Sequence, residues 1–294
     1  MFLPLQPANE GLVLRAAILE NRKRLLFYGV INFNSNGKNM NQSAPVIASY
    51  ESRAIYELRR WQKKMMRKPS IIDAAAKNLQ TRTNRIIPEK AHQAIAAAVK
   101  YMTRMAMSGS GLITRRMIIS DDDLETRENK IRERIRFYRS TAAAEGAATG
   151  YAGFITGLAD LPLWLSIKMK MLFEIAAHYG FDTADYRERI YILNIFQLAF
   201  SSQGHRNKIF RAIADWGNES KRLPGDMNRL DWRAYWEEYR DHIDLAKLLQ
   251  LIPGFGAAVG AVVNYRLTGR LGEYAMNAYR MRKLKWQSEP ELVK

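Results

Sequence analysis

Four side chains of this sequence could carry proton chemistry if the fold brought them together: Glu145, Asp160, Glu174 and His178. Carboxylates act as general acid and base when their surroundings drive their pKa values apart. Glu174 and His178 stand four residues apart, which places them on one helical face with Ile167 and Met171. That stripe fits a hydrogen-bonded polar pair inside a helical core better than a reactive site, because a buried charge without a partner is costly. A metal is not expected. Bundle di-iron sites need two Glu-x-x-His motifs, and only Glu89-Lys-Ala-His92 is present. The chain has no cysteine, which excludes disulfides, thiolate metal sites, iron–sulfur clusters and thiol catalysis. It has no G-x-x-x-x-G-K-[ST] and no G-x-S-x-G. Gly254-Phe-Gly256-Ala-Ala-Val-Gly260 is one residue too long for a dinucleotide motif and follows a helical pattern, not a strand. No cofactor is expected either.

Charge is more informative. Of 294 residues, 46 are Lys or Arg and 29 Asp or Glu, and residues 51–139 alone carry 21 of the basic and 10 of the acidic side chains. The surplus is therefore concentrated there, and a local positive field attracts an anionic partner, either a lipid surface or nucleic acid. Its densest stretch holds Arg59, Arg60, Trp61, Lys63, Lys64, Arg67 and Lys68. Lysine and arginine can snorkel toward headgroups while tryptophan sits at the boundary, which suits an anionic membrane. The plainer alternative is a solvated helix face with Trp61 in the core. Nucleic acid is the lesser expectation, since no helix-turn-helix, zinc-finger or RNP-like pattern accompanies the charge.

The elements that must position these residues are nearly all helices. Ile55, Leu58, Trp61 and Met65 recur at helical spacing from about Ser49, and Pro69 closes that pattern. Pro88-Glu89 opens a helix to Met107, ended by Ser108-Gly-Ser-Gly111. Ser120-Asp-Asp-Asp123 opens a charged helix from Leu124 to about Arg139. Residues 146–167 then hold a single formal charge, Asp160, with Gly146, Gly150, Gly153 and Gly157 on one helical face and Pro162 as a break. Four small residues on a stripe call for a close protein neighbour rather than a free-standing membrane span, and the glycine-rich segment 253–263 is the expected partner. Further helices are predicted over 163–178, from Asp182 or Thr183 to Ser201, and over 206–219, 231–251 and 266–286.

Three stretches together resemble the bacterial EcsC family: Ala144-Glu-Gly-Ala-Ala-Thr-Gly150 continued to Ala159-Asp-Leu-Pro162, Glu174-Ile-Ala-Ala-His-Tyr-Gly-Phe-Asp182, and Ile252-Pro-Gly-Phe-Gly256 continued to Arg266. The matching residues are Glu145, Gly146, Gly150, Asp160, Pro162, Tyr179, Gly180, Asp182, Pro253, Gly256, Gly260 and Asn264. The resemblance implies a mostly helical protein with no established catalytic activity and no agreed active site. Because the family is named for a gene beside an ABC transporter, it also implies membrane association or a transport-linked role. The expectation is an all-α, multi-helix single domain over 48–285 with its two glycine-rich apolar segments packed together. Residues 1–47 read as a poorly ordered or misassigned extension, with Met40 an alternative start, and 286–294 as a tail. The expected function is a non-enzymatic accessory protein, peripheral to the cytoplasmic face of the membrane, whose partner is anionic lipid or a membrane protein. The alternatives are an enzyme built on Glu145, Asp160 and Glu174, and a nucleic-acid binder using 51–139.

Overall fold

A computed structural model of the chain describes residues 49–67, 89–109, 112, 122–152, 161–242 and 257–284. The fold is all-α. Among the described residues there are nine α-helices: α1 (Tyr50–Met66), α2 (Glu89–Ser108), α3 (Leu124–Ala152), α4 (Leu161–His178), α5 (Tyr186–Phe200), α6 (Gln203–Ala214), α7 (Trp216–Arg222), α8 (Trp232–His242) and α9 (Ala257–Lys283). A 3₁₀ turn, Met227–Arg229, lies between α7 and α8. The extension 1–47 and the tail 286–294 lie outside the described residues.

Local chemistry sets most of these boundaries. The Ser49 hydroxyl accepts the Ser52 N–H at 3.2 Å and starts α1, whose buried stripe is Ala54, Leu58, Trp61 and Met65. Asp123 accepts the Thr126 N–H at 2.8 Å and starts α3. α4 opens with Pro162 in its first turn, where a missing N–H removes no helical bond. It ends in a Schellman motif: Gly180 adopts φ +83°, its N–H reaches Ala177 O at 2.9 Å, and the Phe181 N–H reaches Ala176 O at 3.1 Å. A side chain at 180 would be strained in that left-handed conformation.

Several expected boundaries are corrected. The charged helix does not stop near Arg139 but continues to Ala152, because Ala142, Ala143, Ala144 and Ala147 are strong helix formers and no proline or cap interrupts them. The change of composition there marks a change of neighbours, not an end. α9 likewise begins at Ala257, not near Arg266, so the last apolar residues up to Val263 form its first two turns. The helix after α4 is capped by Asp185, which accepts the Arg187 N–H at 2.9 Å, rather than by Asp182 or Thr183. The expected helix 206–219 is two helices, broken at Asp215.

α9 is the axis of the bundle. It packs most extensively along α3 and also touches α1, α4, α5 and α6. Gly272 abuts Ile135, Gly269 abuts Arg139, and Arg280 bonds Glu128, so α3 and α9 are antiparallel in a steady register. A Cβ added to Gly272 would lie 2.8 Å from two Ile135 carbons, which is why the helices can approach this closely only over glycine. α4 is antiparallel to α3 as well, with Glu174 beside Arg134 and Tyr138 and the His178 carbonyl beside Arg127. One end of the bundle therefore gathers the C-terminus of α3 with the N-termini of α4 and α9, and the opposite end gathers their other termini. Close glycine contact is seen at Gly269 and Gly272. Gly153, Gly157 and the segment 251–256 lie outside the described residues.

Candidate functional site

At the end formed by the start of α3 and the finish of α4 and α9, the core holds a charge network. Glu128 is fully buried, and its carboxylate accepts from Arg280 Nε at 2.7 Å, from Tyr179 Oη at 2.9 Å and from Tyr50 Oη. Arg280 also reaches Glu57 at 2.9 Å, so one ion pair ties α1, α3, α9 and the end of α4 together. Burial pushes the Glu128 carboxyl up, but Arg280 and the two tyrosine hydroxyls outweigh it and hold it below its ordinary value. Tyr50 is pushed up to about 12 by burial and by the neighbouring carboxylate.

A second pair lies beside it. Glu188 accepts from Tyr279 Oη at 2.6 Å and from Arg282 at 2.7 and 2.9 Å, and the Arg282 guanidinium lies 3.8 Å from the Phe181 ring centroid and 4.4 Å from that of Tyr191. Here burial wins over Arg282, and the Glu188 carboxyl is raised.

The other end holds Lys168, fully buried on α4. Its ammonium nitrogen sits 3.0 Å from the Trp164 ring centroid and has no hydrogen-bond partner. Burial lowers its pKa well below the lysine value, partly opposed by Glu145 on α3. The antiparallel registers bring Asn264 and Thr268 of α9 to the same level, both buried with a side-chain oxygen lacking a partner.

This arrangement places two of the three carboxylates of the alternative acid–base site. Glu174 does not pair with His178; it accepts from Arg134 at 2.7 Å and from Tyr138 at 2.8 Å. Those partners lie seven to eleven residues before Glu145 on α3, which is about 10–16 Å along a helix, so the two carboxylates do not converge. Asp160 lies outside the described residues. His178 is half-buried at the end of α4, and burial lowers its pKa against the pull of Glu174. Trp61 is corrected too. It is 7% exposed and packs edge-on against Phe210 at 5.4 Å and Tyr274 at 5.7 Å, so it is a core residue and not an exposed anchor. Arg59, Arg60, Lys63, Lys64 and Arg67 are exposed around it, and Lys68 lies outside the described residues. Among the described residues there is no group of side chains suited to a metal ion.

The profile of the EcsC protein family matches residues 52–284. The chain belongs to the EcsC family. It is 43% identical over 225 residues to Protein EcsC of Bacillus subtilis (strain 168), covering 76% of this chain and 92% of that protein. It is 28% identical over 145 residues to the uncharacterized protein YdbA of the same organism, covering 49% and 53% of the two chains. No solved structure matches it. The EcsC motif residues divide between the two ends of the bundle. Tyr179, Gly180 and Asp182 lie at the end of the Glu128–Arg280 pair, while Glu145, Gly146, Gly150, Pro162 and Asn264 lie at the end of Lys168, and Gly260 lies in the first turn of α9. Pro253 and Gly256 are outside the described residues. Glu128, Arg280, Glu188, Arg282 and Lys168 were missed by the sequence reading. Their partners lie far apart in the chain, and no local pattern distinguishes a buried charge from a solvated one.

Proposed function

We propose that this EcsC-family protein is a membrane-associated accessory protein, without an enzymatic activity of its own, that meets anionic lipid at the cytoplasmic face of a bilayer through the outer face of α1. The observation that carries this reading is the composition of that face. Arg53, Tyr56, Arg60 and Lys63 recur at spacings of three and four and are exposed, with Arg59, Lys64 and Arg67 exposed beside them. Tyr56, at 59% exposure, takes the interfacial place that Trp61 cannot fill. Among the described residues no helix is long and apolar enough to cross a membrane, so the proposed attachment is through the surface. The non-enzymatic reading draws on the separation of Glu145 from Glu174 and on the bonds that hold Glu174.

Each cation near an anionic leaflet contributes about 1 kcal/mol, so replacing Lys63 and Lys64 with Gln should weaken binding to phosphatidylglycerol-containing vesicles by up to about thirty-fold at low salt. Co-sedimentation of wild type and variant measures this, with duplex DNA as the competing anion. Wild-type protein that ignores such vesicles at low salt but holds DNA at physiological salt would refute the reading and favour the nucleic-acid alternative.

A further inference from the structure

We infer that the cleft between α5, α6, α7 and α8 is a binding site for a small organic cation, an ammonium group carried on an apolar body; this assignment is independent of the membrane reading above. Four helices build its floor. Ile190 and Gln197 of α5, Ile209 of α6, Trp216 of α7 and Tyr239 of α8 are buried in the core and still border the cleft. The space measures about 200 Å³. That exceeds the roughly 150 Å³ in which an engineered core holds benzene and falls short of the about 300–1,000 Å³ of drug-sized sites, so the ligand is a small molecule.

The polar groups of the lining decide its charge. Gln197 donates its amide N–H to the Tyr239 carbonyl at 3.0 Å, which assigns the remaining side-chain oxygen as an acceptor. Glu219 and Glu238 add two carboxylates, against one cation, Lys208. Burial and the Glu238 carboxylate both push the Tyr235 hydroxyl up, so the field of that carboxylate reaches the wall of the cleft. Trp216, Tyr235 and Tyr239 supply aromatic surface, which attracts a cation. An anionic ligand would instead meet two like charges. The carboxylates now hold local cations: Lys208 reaches Glu238 at 3.1 Å from α6 to α8 across the mouth, and Arg222 reaches Glu219 at 2.8 Å within α7. Both cations are largely exposed, and ion pairs of this kind contribute little. A ligand ammonium whose apolar body rests on the buried floor therefore competes with them for the same carboxylates.

Isothermal titration of the full chain with three compounds of similar size tests the assignment: 2-phenylethylammonium, neutral 2-phenylethanol and anionic phenylacetate. The ammonium should bind with a dissociation constant of about 1 mM or tighter, and at least about fivefold more tightly than the other two. Glu219→Gln combined with Glu238→Gln should weaken it by about tenfold and leave the alcohol unchanged, whereas Lys208→Ala should tighten it by about two- to threefold, because the resident cation no longer competes. Ala212→Trp puts a large side chain into the lining and should abolish binding, with thermal unfolding confirming that this variant remains folded. Equal binding of the three compounds, or a preference for phenylacetate, would overturn the charge assignment. Ammonium binding that persists in folded Ala212→Trp would place the compound elsewhere on the surface and overturn the site, as would the absence of binding by all three compounds to the wild type.

Discussion

Replacing Glu128 with Ala removes the fully buried side of the Glu128–Arg280 pair and leaves Arg280 with the exposed Glu57 as its remaining carboxylate. Arg280 would keep a buried guanidinium, and the Tyr179 hydroxyl would lose its acceptor. Removing one partner of a buried pair costs about 3–5 kcal/mol, far more than the pair contributes relative to a well-packed apolar substitute, because the remaining charge stays desolvated. For a chain of this size that corresponds to a fall in Tm of about 6–20 °C. The double replacement Glu128→Leu with Arg280→Met leaves no buried charge. It should lie closer to wild type than Glu128→Ala does, with a residual loss of about 1–2 kcal/mol for the hydroxyls of Tyr50 and Tyr179. Thermal and urea unfolding followed by circular dichroism measures these together with Glu128→Leu and Arg280→Met alone, and that double-mutant cycle isolates the coupling. A Glu128→Ala protein within about 1 kcal/mol of wild type, or a double variant as unstable as the sum of the singles, would refute this account. The pH dependence gives a second handle. Glu128 is held below its ordinary value of 4.5, so the folded state binds fewer protons than the unfolded one. Its contribution is present above pH 4.5 and is lost as pH falls through the lowered value, an acid loss that Glu128→Ala should no longer show.

Glu188 should behave with the opposite sign. Its pKa is raised above 4.5 in the fold, so its contribution is full below that pH and declines as pH rises through the raised value; Glu188→Gln should flatten that decline in an unfolding series across pH. Lys168→Met takes the countercharge away from Glu145 and should cost stability, whereas Lys168→Met with Glu145→Leu should recover most of the loss; a single variant as stable as wild type in urea unfolding would refute this. Gly272→Ala should cost about 1–3 kcal/mol through overpacking against the buried Ile135 and exceed Gly269→Ala, whose new methyl meets only the flexible end of Arg139; equal Tm values would remove the claim of close approach at Gly272. Trp61→Ala should cost about 3–5 kcal/mol in unfolding, whereas Lys63→Gln with Lys64→Gln should leave unfolding unchanged and alter only vesicle binding.

Much of the framework was legible from residue order alone. The start of α1 at Ser49, the start of α3 at Asp123, the end of α2 at Ser108 and the turn after His178 all depend on hydrogen bonds closed within a few residues, so the local sequence contains their cause. The all-α class follows from helical spacing along most of the chain, and the EcsC motifs carried the family. What the sequence could not decide was which charges are inside. Glu128 and Arg280 are separated by 152 positions, and nothing near either one distinguishes it from the solvated cations and carboxylates of its own helix. The same limit split the expected carboxylate group. Glu174 turned to Arg134 and Tyr138 because α4 runs antiparallel to α3, and Glu145 faced Lys168 three turns away. Trp61 went into the core because Phe210 and Tyr274 converge on it from α6 and α9, while Tyr56, half a turn further round α1, found no neighbour and stayed exposed. A local hydrogen bond is closed by neighbours in the chain, but burial is decided by which distant helix arrives to exclude water.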